Sequence, residues 1–245
     1  MILLMLDYDG TLVPIKLRPE LAKIPVRVKS LLERLARNPH LRLAIISGRT
    51  LKDVIRLVNI KGIYYVGCHG LEMVGPGLRF IHPQAKRAMP ILKILHRELT
   101  QALSTIKGVL LENKVLTIAV HYRDVSVKYI AGIRKIIKKL ESDYRKKLVC
   151  LRGRKVYEFI PRIKWNKGKA VKFLLKKLSN EKPLPIYIGD DTTDEDAFKI
   201  LKGKGLTILV EGRGDLAGRL YPENTAASFR MKSVKQVYNF LQSLL

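Results

Sequence analysis

Five short apolar runs punctuate the chain, each breaking off in polar or small residues before a helical spacing takes over. Residues 2–6 run into Asp7-Tyr8-Asp9-Gly10-Thr11. Residues 41–46 close on Ser47-Gly48-Arg49 and lead into an amphipathic stretch at 51–58. Residues 63–66 end in Gly67-Cys68-His69-Gly70. Residues 185–188 end in Gly189-Asp190-Asp191, with helical spacing over 195–201, and residues 206–210 make the fifth run. Apolar runs of this length, bounded by turn chemistry and alternating with helical spacing, predict buried strands with crossover helices: an α/β fold with a doubly wound parallel sheet. Ligands of such sheets gather at the carboxyl ends of the strands, so the polar clusters should share one rim.

Between the third and fourth runs the rhythm changes. A helical pattern at 84–106 precedes strand-like runs at 109–112 and 115–121, with Asn113-Lys114 between them. A second helical pattern at 125–144 precedes runs at 147–151 and 156–160, joined by Arg152-Gly153-Arg154. Helix, hairpin, helix, hairpin predicts a compact α+β cap domain at 83–162, inserted into a core of 1–82 and 163–245 and suited to act as a lid. The chain has no strict internal repeat or low-complexity tract, and Gly212-Arg213-Gly214-Asp215 reads as a turn.

Composition narrows this picture in two ways. The 245 residues, 47% apolar, suffice for a sizeable core, yet no run is long enough to span a bilayer and the N-terminal one lacks a leader's basic start; a cytoplasmic protein is expected, without membrane partners. Cys68 and Cys150 lie far apart, without the spacing of a zinc site or a disulfide framework. The extreme is charge, +26, from 47 Lys+Arg against 21 Asp+Glu. Residues 83–162 hold 19 of those bases and 6 of the acids, so the middle third is the densest. A basic surface suits nucleic acid, anionic membrane or small anionic substrates without choosing among them, and the helical placement of Arg134, Lys135, Lys138 and Lys139 reads first as a solvated face. With 7% aromatics and no zinc-finger or RNA-binding signature, nucleic acid is disfavoured as a partner.

In so basic a chain the acidic clusters stand out. If the first run is a strand, its period of two sends Asp7 and Asp9 to the same side of the tip, and two like charges in one space call for a cation or a shared proton. Alone, the pair could be an ordinary Asp-Gly turn. The stretch 190–196 carries five acids in seven positions, only some of which a helix N-terminus explains. Asp7, Asp9 and Asp190 at one rim would make a hard-oxygen set suited to Mg²⁺ and a phosphate oxygen. Asp7 could then attack phosphorus, with Asp9 as general acid and base. Thr11, Ser47, Gly48 and Lys167 would supply donors to the phosphoryl oxygens, Lys167 near the start of a helix at 170–178. Asp191 and Asp194 would orient Asp190 and the metal's waters.

These four elements, in this order, resemble the motifs of haloacid-dehalogenase-type (HAD) phosphohydrolases along the whole chain. Within them the sequence is similar to the trehalose-6-phosphate phosphatases. That likeness rests on Asp7-Tyr8-Asp9-Gly10-Thr11-Leu12, Ser47-Gly48-Arg49, Gly67-Cys68-His69-Gly70 and Glu112-Asn113-Lys114 with His121-Tyr122-Arg123. It rests also on Tyr157-Glu158-Phe159-Ile160-Pro161 and on the run from Gly189 to Phe198. The resemblance implies a HAD-like Rossmannoid core with Asp7 as nucleophile, Asp9 as acid and base, and Mg²⁺ held by Asp7, Asp190 and the Asp9 carbonyl. It further implies that Glu112, Lys114 and Glu158 grip the sugar, and it leaves room for a trehalose-6-phosphate synthase as partner. The unusual basicity and Cys68 depart from the family without touching its chemistry. The expected reaction is hydrolysis of trehalose 6-phosphate to trehalose and phosphate. Sucrose phosphate and mannosyl-3-phosphoglycerate are the alternative substrates within the same core. A basic nucleic-acid-binding protein and a silent subunit of a trehalose-synthesising complex are the alternatives of another class.

Overall fold

The computed structural model describes residues 1–16, 19–153, 155–211 and 224–245; the turn expected at 212–215 lies outside them. In chain order the elements are β1 (Ile2–Asp7), α1 (Val26–Arg37), β2 (Leu41–Ile46), α2 (Leu51–Val58), β3 (Tyr64–Gly67), β4 (Glu72–Gly75) and β5 (Leu78–Ile81). Next come α3 (Pro83–Leu103), β6 (Leu110–Asn113), β7 (Ile118–His121), α4 (Val127–Tyr144), β8 (Leu148–Gly153) and β9 (Val156–Pro161). The chain returns through α5 (Lys167–Lys177), β10 (Leu184–Gly189), α6 (Glu195–Leu201), β11 (Leu206–Val210), β12 (Phe229–Met231) and α7 (Val234–Ser243). Two compact units result, one of Met1–Phe80 with Trp165–Leu245 and one of Ile81–Lys164. No helix among the described residues is long and apolar enough to cross a membrane.

In the first unit, eight described strands run in the order β12-β11-β10-β1-β2-β3-β4-β5, parallel from β12 to β3. β1 is central and covered on both faces, which is why its residues 2–6 are apolar without alternation. The strand period still divides them: Leu4 and Leu6 pack with α1, α2 and α7, while Leu3 and Met5 pack with α5 and α6 on the other face. Each fully buried Leu contributes about 1.5–3 kcal/mol relative to exposure. The β4–β5 hairpin and β12 were not expected from sequence; with three or four residues each, they carry too short a pattern to separate from loop.

Strand order reverses at β1, whose neighbours β2 and β10 come from opposite directions in the chain, and this opens a crevice at their carboxyl ends. Register makes the tips level. Asp7 pairs with Ile46, so Ser47 lies one residue beyond; Leu6 pairs with Ile188, so Asp190 lies one beyond the level of Asp7.

The second unit is an antiparallel sheet of four described strands in the order β6-β7-β9-β8. Ile118, Val120, Tyr157, Phe159, Leu148 and Cys150 face α3 and α4 and form the core there. The alternate positions, Glu112, Thr117, His121 and Glu158 among them, belong to the opposite face. The first hairpin is looser than a two-residue turn between 112 and 115. Asn113 pairs with Ile118, leaving a four-residue loop in which Val115 takes φ +68° and donates its N–H to the Asn113 side chain (2.9 Å). A positive φ at a β-branched residue is tolerated because that Asx turn and the 3.0 Å bond from the Lys114 N–H to the Thr117 carbonyl close the loop.

Candidate active site

Asp7 is the last residue of β1, and the chain turns away at once: the amides of Leu12 and Val13 both donate to the Tyr8 carbonyl (3.0 and 3.1 Å). The strand, and with it the period-two rule, therefore stops at Asp7. Asp7, Asp190 and Asp194 meet, all buried, with one ligand atom from each within 4.8 Å of the others. Gly10 makes the approach possible. At φ +90° it presents no side chain where the Asp190 carboxylate lies, and a Cβ there would stand 2.0 Å from Asp190 Oδ2.

Lys167 is the cation of this cluster. Its Nζ donates to Asp7 Oδ1 and Asp194 Oδ1, both at 2.7 Å, with 3% of the side chain exposed. The sequence pattern starts the helix at residue 170, but α5 starts at Lys167, because the Asn166 side chain accepts the Lys169 N–H (2.9 Å) and caps the helix there. Asp194 is the most completely satisfied group of the cluster. Besides Lys167, the Tyr187 hydroxyl donates to its Oδ1 (2.6 Å), and the backbone amides of Asp190 and Asp191 donate to its Oδ2 (3.1 and 3.0 Å). Burial opposes its charge, but Lys167 and these donors prevail and hold Asp194 below the ordinary carboxylate range. Asp7 goes the other way: burial pushes it well above that range, the Asp194 and Asp190 charges add to the push, and Lys167 offsets only part. For Lys167, burial is outweighed by Asp194 and Asp7, which hold it firmly protonated.

The three buried carboxylates offer an all-oxygen donor set that fits one divalent cation of the Mg²⁺ type.

The other expected site residues divide. Ser47 is buried at the tip of β2, its Oγ accepting the Arg49 amide (3.1 Å). Gly48 follows with the His69 ring against it, 2.6 Å from where a Cβ would start. Thr11 is fully buried, its hydroxyl without a bond to any described residue. Asp191 stays outside the cluster: it is exposed, and its Oδ1 accepts from the Thr192 amide and hydroxyl (2.6 and 3.1 Å). Asp9 is held by Arg49 in a bidentate pair. In the second unit, Glu158 accepts from Lys114 (3.0 Å) and Thr117 (2.7 Å), and Glu112 pairs with His121 (3.2 Å). Glu112 and Glu158 both register with Ala119 and so stand in one row across the sheet.

Sequence reasoning gave no role to Arg49, Tyr187, Thr117 or His121. Arg49 could have been found by asking what neutralises Asp9, and Thr117 and His121 by the polar positions that alternate with the core residues Ile118 and Val120. Tyr187 had no signal, since within its run it looks like any core residue.

Known proteins resemble this chain in sequence and in fold. A family model described as trehalose-phosphatase matches residues 5–214. The Arabidopsis thaliana protein named probable trehalose-phosphate phosphatase D is 37% identical over all of this chain, which spans about two thirds (67%) of that relative. Among solved structures, a trehalose-6-phosphate phosphatase related protein superposes with TM-score 0.82 at 23% identity, covering 99% of this chain and 96% of its own. A haloacid dehalogenase-like hydrolase from Bacteroides thetaiotaomicron superposes with TM-score 0.69 at 14% identity, covering 100% and 99%, and so shares the fold. The family match over most of its length, with 37% identity to a relative aligned over all of this chain, makes it a member of the trehalose-phosphatase family of phosphoric monoester hydrolases.

Proposed function

We infer that this chain is a Mg²⁺-dependent phosphatase that hydrolyses trehalose 6-phosphate to trehalose and phosphate through an aspartyl-phosphate on Asp7. The single observation that carries the reading is the buried set of Asp7, Asp190 and Asp194 around Lys167 at the switch point of the sheet. Asp7, Asp190 and the Asp9 carbonyl would hold the ion, which when bound offsets the carboxylate repulsion and the charge of the phosphoryl oxygens.

Asp7 attacks phosphorus while the bond from phosphorus to the sugar oxygen breaks, and Asp9 gives that oxygen its proton. Asp9 then takes a proton from the water that attacks the phosphorus. The bond to Asp7 breaks, the carboxylate is restored and phosphate leaves. Asp194 and Lys167 hold Asp7 in place throughout. Ser47 accepts the Arg49 amide, which leaves its hydroxyl proton to donate to a phosphoryl oxygen; the Thr11 hydroxyl and the Gly48 amide are further donors. Glu112, Lys114 and Glu158 would recognise the sugar hydroxyls, with carboxylates accepting and the ammonium donating. A cytoplasmic setting and a trehalose-6-phosphate synthase as partner belong to the same reading.

The test is phosphate release from trehalose 6-phosphate, sucrose phosphate and mannosyl-3-phosphoglycerate, each with Mg²⁺ and with a chelator. Turnover of the first, lost on chelation, is expected. Preference for another substrate would overturn the substrate assignment, and no turnover of any would overturn the enzymatic reading.

A further inference from the structure

Arg49 commits its guanidinium to Asp9: Nε donates to Oδ2 and Nη2 to Oδ1, each at 2.7 Å. The clamp is built into the fold. The guanidinium stands 5.2 Å from the centre of the Tyr8 ring, and Tyr8 is anchored by its hydroxyl to the Ala22 carbonyl (2.7 Å). The Arg49 amide is fixed on Ser47 Oγ. The pair thus ties the turn after β1 to the turn after β2, the two segments that frame the crevice.

A carboxylate with both oxygens in an arginine fork is turned toward the arginine and has no oxygen left to offer a leaving group. The function proposed above, on which this inference rests, gives Asp9 the proton transfer to that group, so the fork has to open during turnover. That function also brings an anion to the spot. A phosphoryl dianion offers the same bidentate geometry as a carboxylate with more charge, and is the natural competitor for a guanidinium. We propose that Arg49 is a positioning residue contested by Asp9 and the substrate's phosphoryl group: docking of the phosphate draws the guanidinium off Asp9 and frees that carboxylate for proton transfer only when substrate is in place.

Competition for one cation makes a prediction that field strength alone does not. Removing the Asp9 charge should release Arg49 to the phosphate, but only where Arg49 exists. Binding of inorganic phosphate in Mg²⁺ buffer, followed by calorimetry, would be measured for wild type, Asp9→Asn, Arg49→Ala and the double variant. Asp9→Asn should bind about tenfold tighter than wild type, and the same change in the Arg49→Ala background should alter affinity less than about twofold. An equal gain in both backgrounds, or none in either, would overturn the proposal. Should Arg49→Ala not fold, Arg49→Lys takes its place, keeping the charge without the fork; the gain should then shrink to about threefold or less, and a full gain would count against the proposal. Trehalose 6-phosphate turnover by the wild type separates the two readings. Turnover without coupling removes the role of Arg49 alone, whereas coupling without turnover removes the substrate alone.

Discussion

The two units hold their acids and cations in different ways. In the first unit Asp194 receives two backbone amides as well as a lysine and a tyrosine, and Lys167 is shut away from solvent. In the second, Glu158 is held by the side chains of Lys114 and Thr117, and Glu112 by that of His121, with the Glu112 side chain 35% and that of His121 26% exposed. Backbone donors are as rigid as the strand end that carries them, while a side-chain network on one sheet face can re-pair around a ligand at little cost. Burial with backbone support suits a group that must hold one position through a reaction; pairs made by side chains alone suit recognition. The comparison predicts chemistry in the first unit and selectivity in the second.

The largest effect expected of it is at Asp7. Asp7→Asn should lower phosphate release by about 10³-fold or more, with no phosphoryl-enzyme by mass spectrometry and an unchanged circular-dichroism spectrum. Retained turnover would break the comparison at its root. Next is Lys167→Met, which leaves three buried carboxylates without their cation and should cost about 3–5 kcal/mol in urea unfolding without metal. A small loss would mean that the cluster is less dependent on Lys167 than its geometry implies.

Metal removal sharpens the contrast. Mg²⁺ at about a hundred times its dissociation constant should stabilise the wild type by about 2.7 kcal/mol in thermal unfolding, and Asp190→Asn should lose most of that gain. In the second unit, Glu158→Gln should raise KM about 10- to 100-fold, the worth of a hydrogen bond to a charged group, with kcat little changed. A fall in kcat at constant KM would instead place this residue in the chemistry.

The smallest expected effect is on pH. Burial of Glu112 is outweighed by the His121 hydrogen bond and by the Lys114 and His121 charges, so its folded pKa lies below the ordinary 4.5. A depressed carboxyl stabilises the fold above its unfolded pKa and ceases to as pH falls through the folded one. The difference in thermal midpoint between wild type and Glu112→Gln should therefore be present at pH 6 to 7 and fade as pH falls below the ordinary 4.5 and on through the depressed folded pKa. Because the side chain is partly solvated, the effect should be small.

Much of this was legible in the linear pattern. Runs 2–6, 41–46, 185–188 and 206–210 became β1, β2, β10 and β11 with shifts of at most a residue or so at their ends, because central parallel strands are apolar throughout and their flanks are turn formers. The inserted unit showed itself by its change of rhythm. Its first hairpin was drawn too tight because Val115 and Leu116 look like strand residues, whereas Val115 is turned out by a positive φ. In the crevice, chain proximity does not set the side-chain partners. Asp9 lies two residues from Asp7 and goes to Arg49, while Asp194 lies 187 residues away and shares a lysine with it. Asp191, adjacent to Asp190, faces outward.

By itself the sequence determined the alternation of buried strands and helices, the family, and which acids stand at strand tips, since hydrophobic period and turn chemistry are local and survive in one dimension. The tertiary structure alone decided which acids face one another and which cation each receives. A strand tip sends the chain into a turn whose exit direction is not periodic, and the donors that settle a buried charge come from strands and helices far off in the chain.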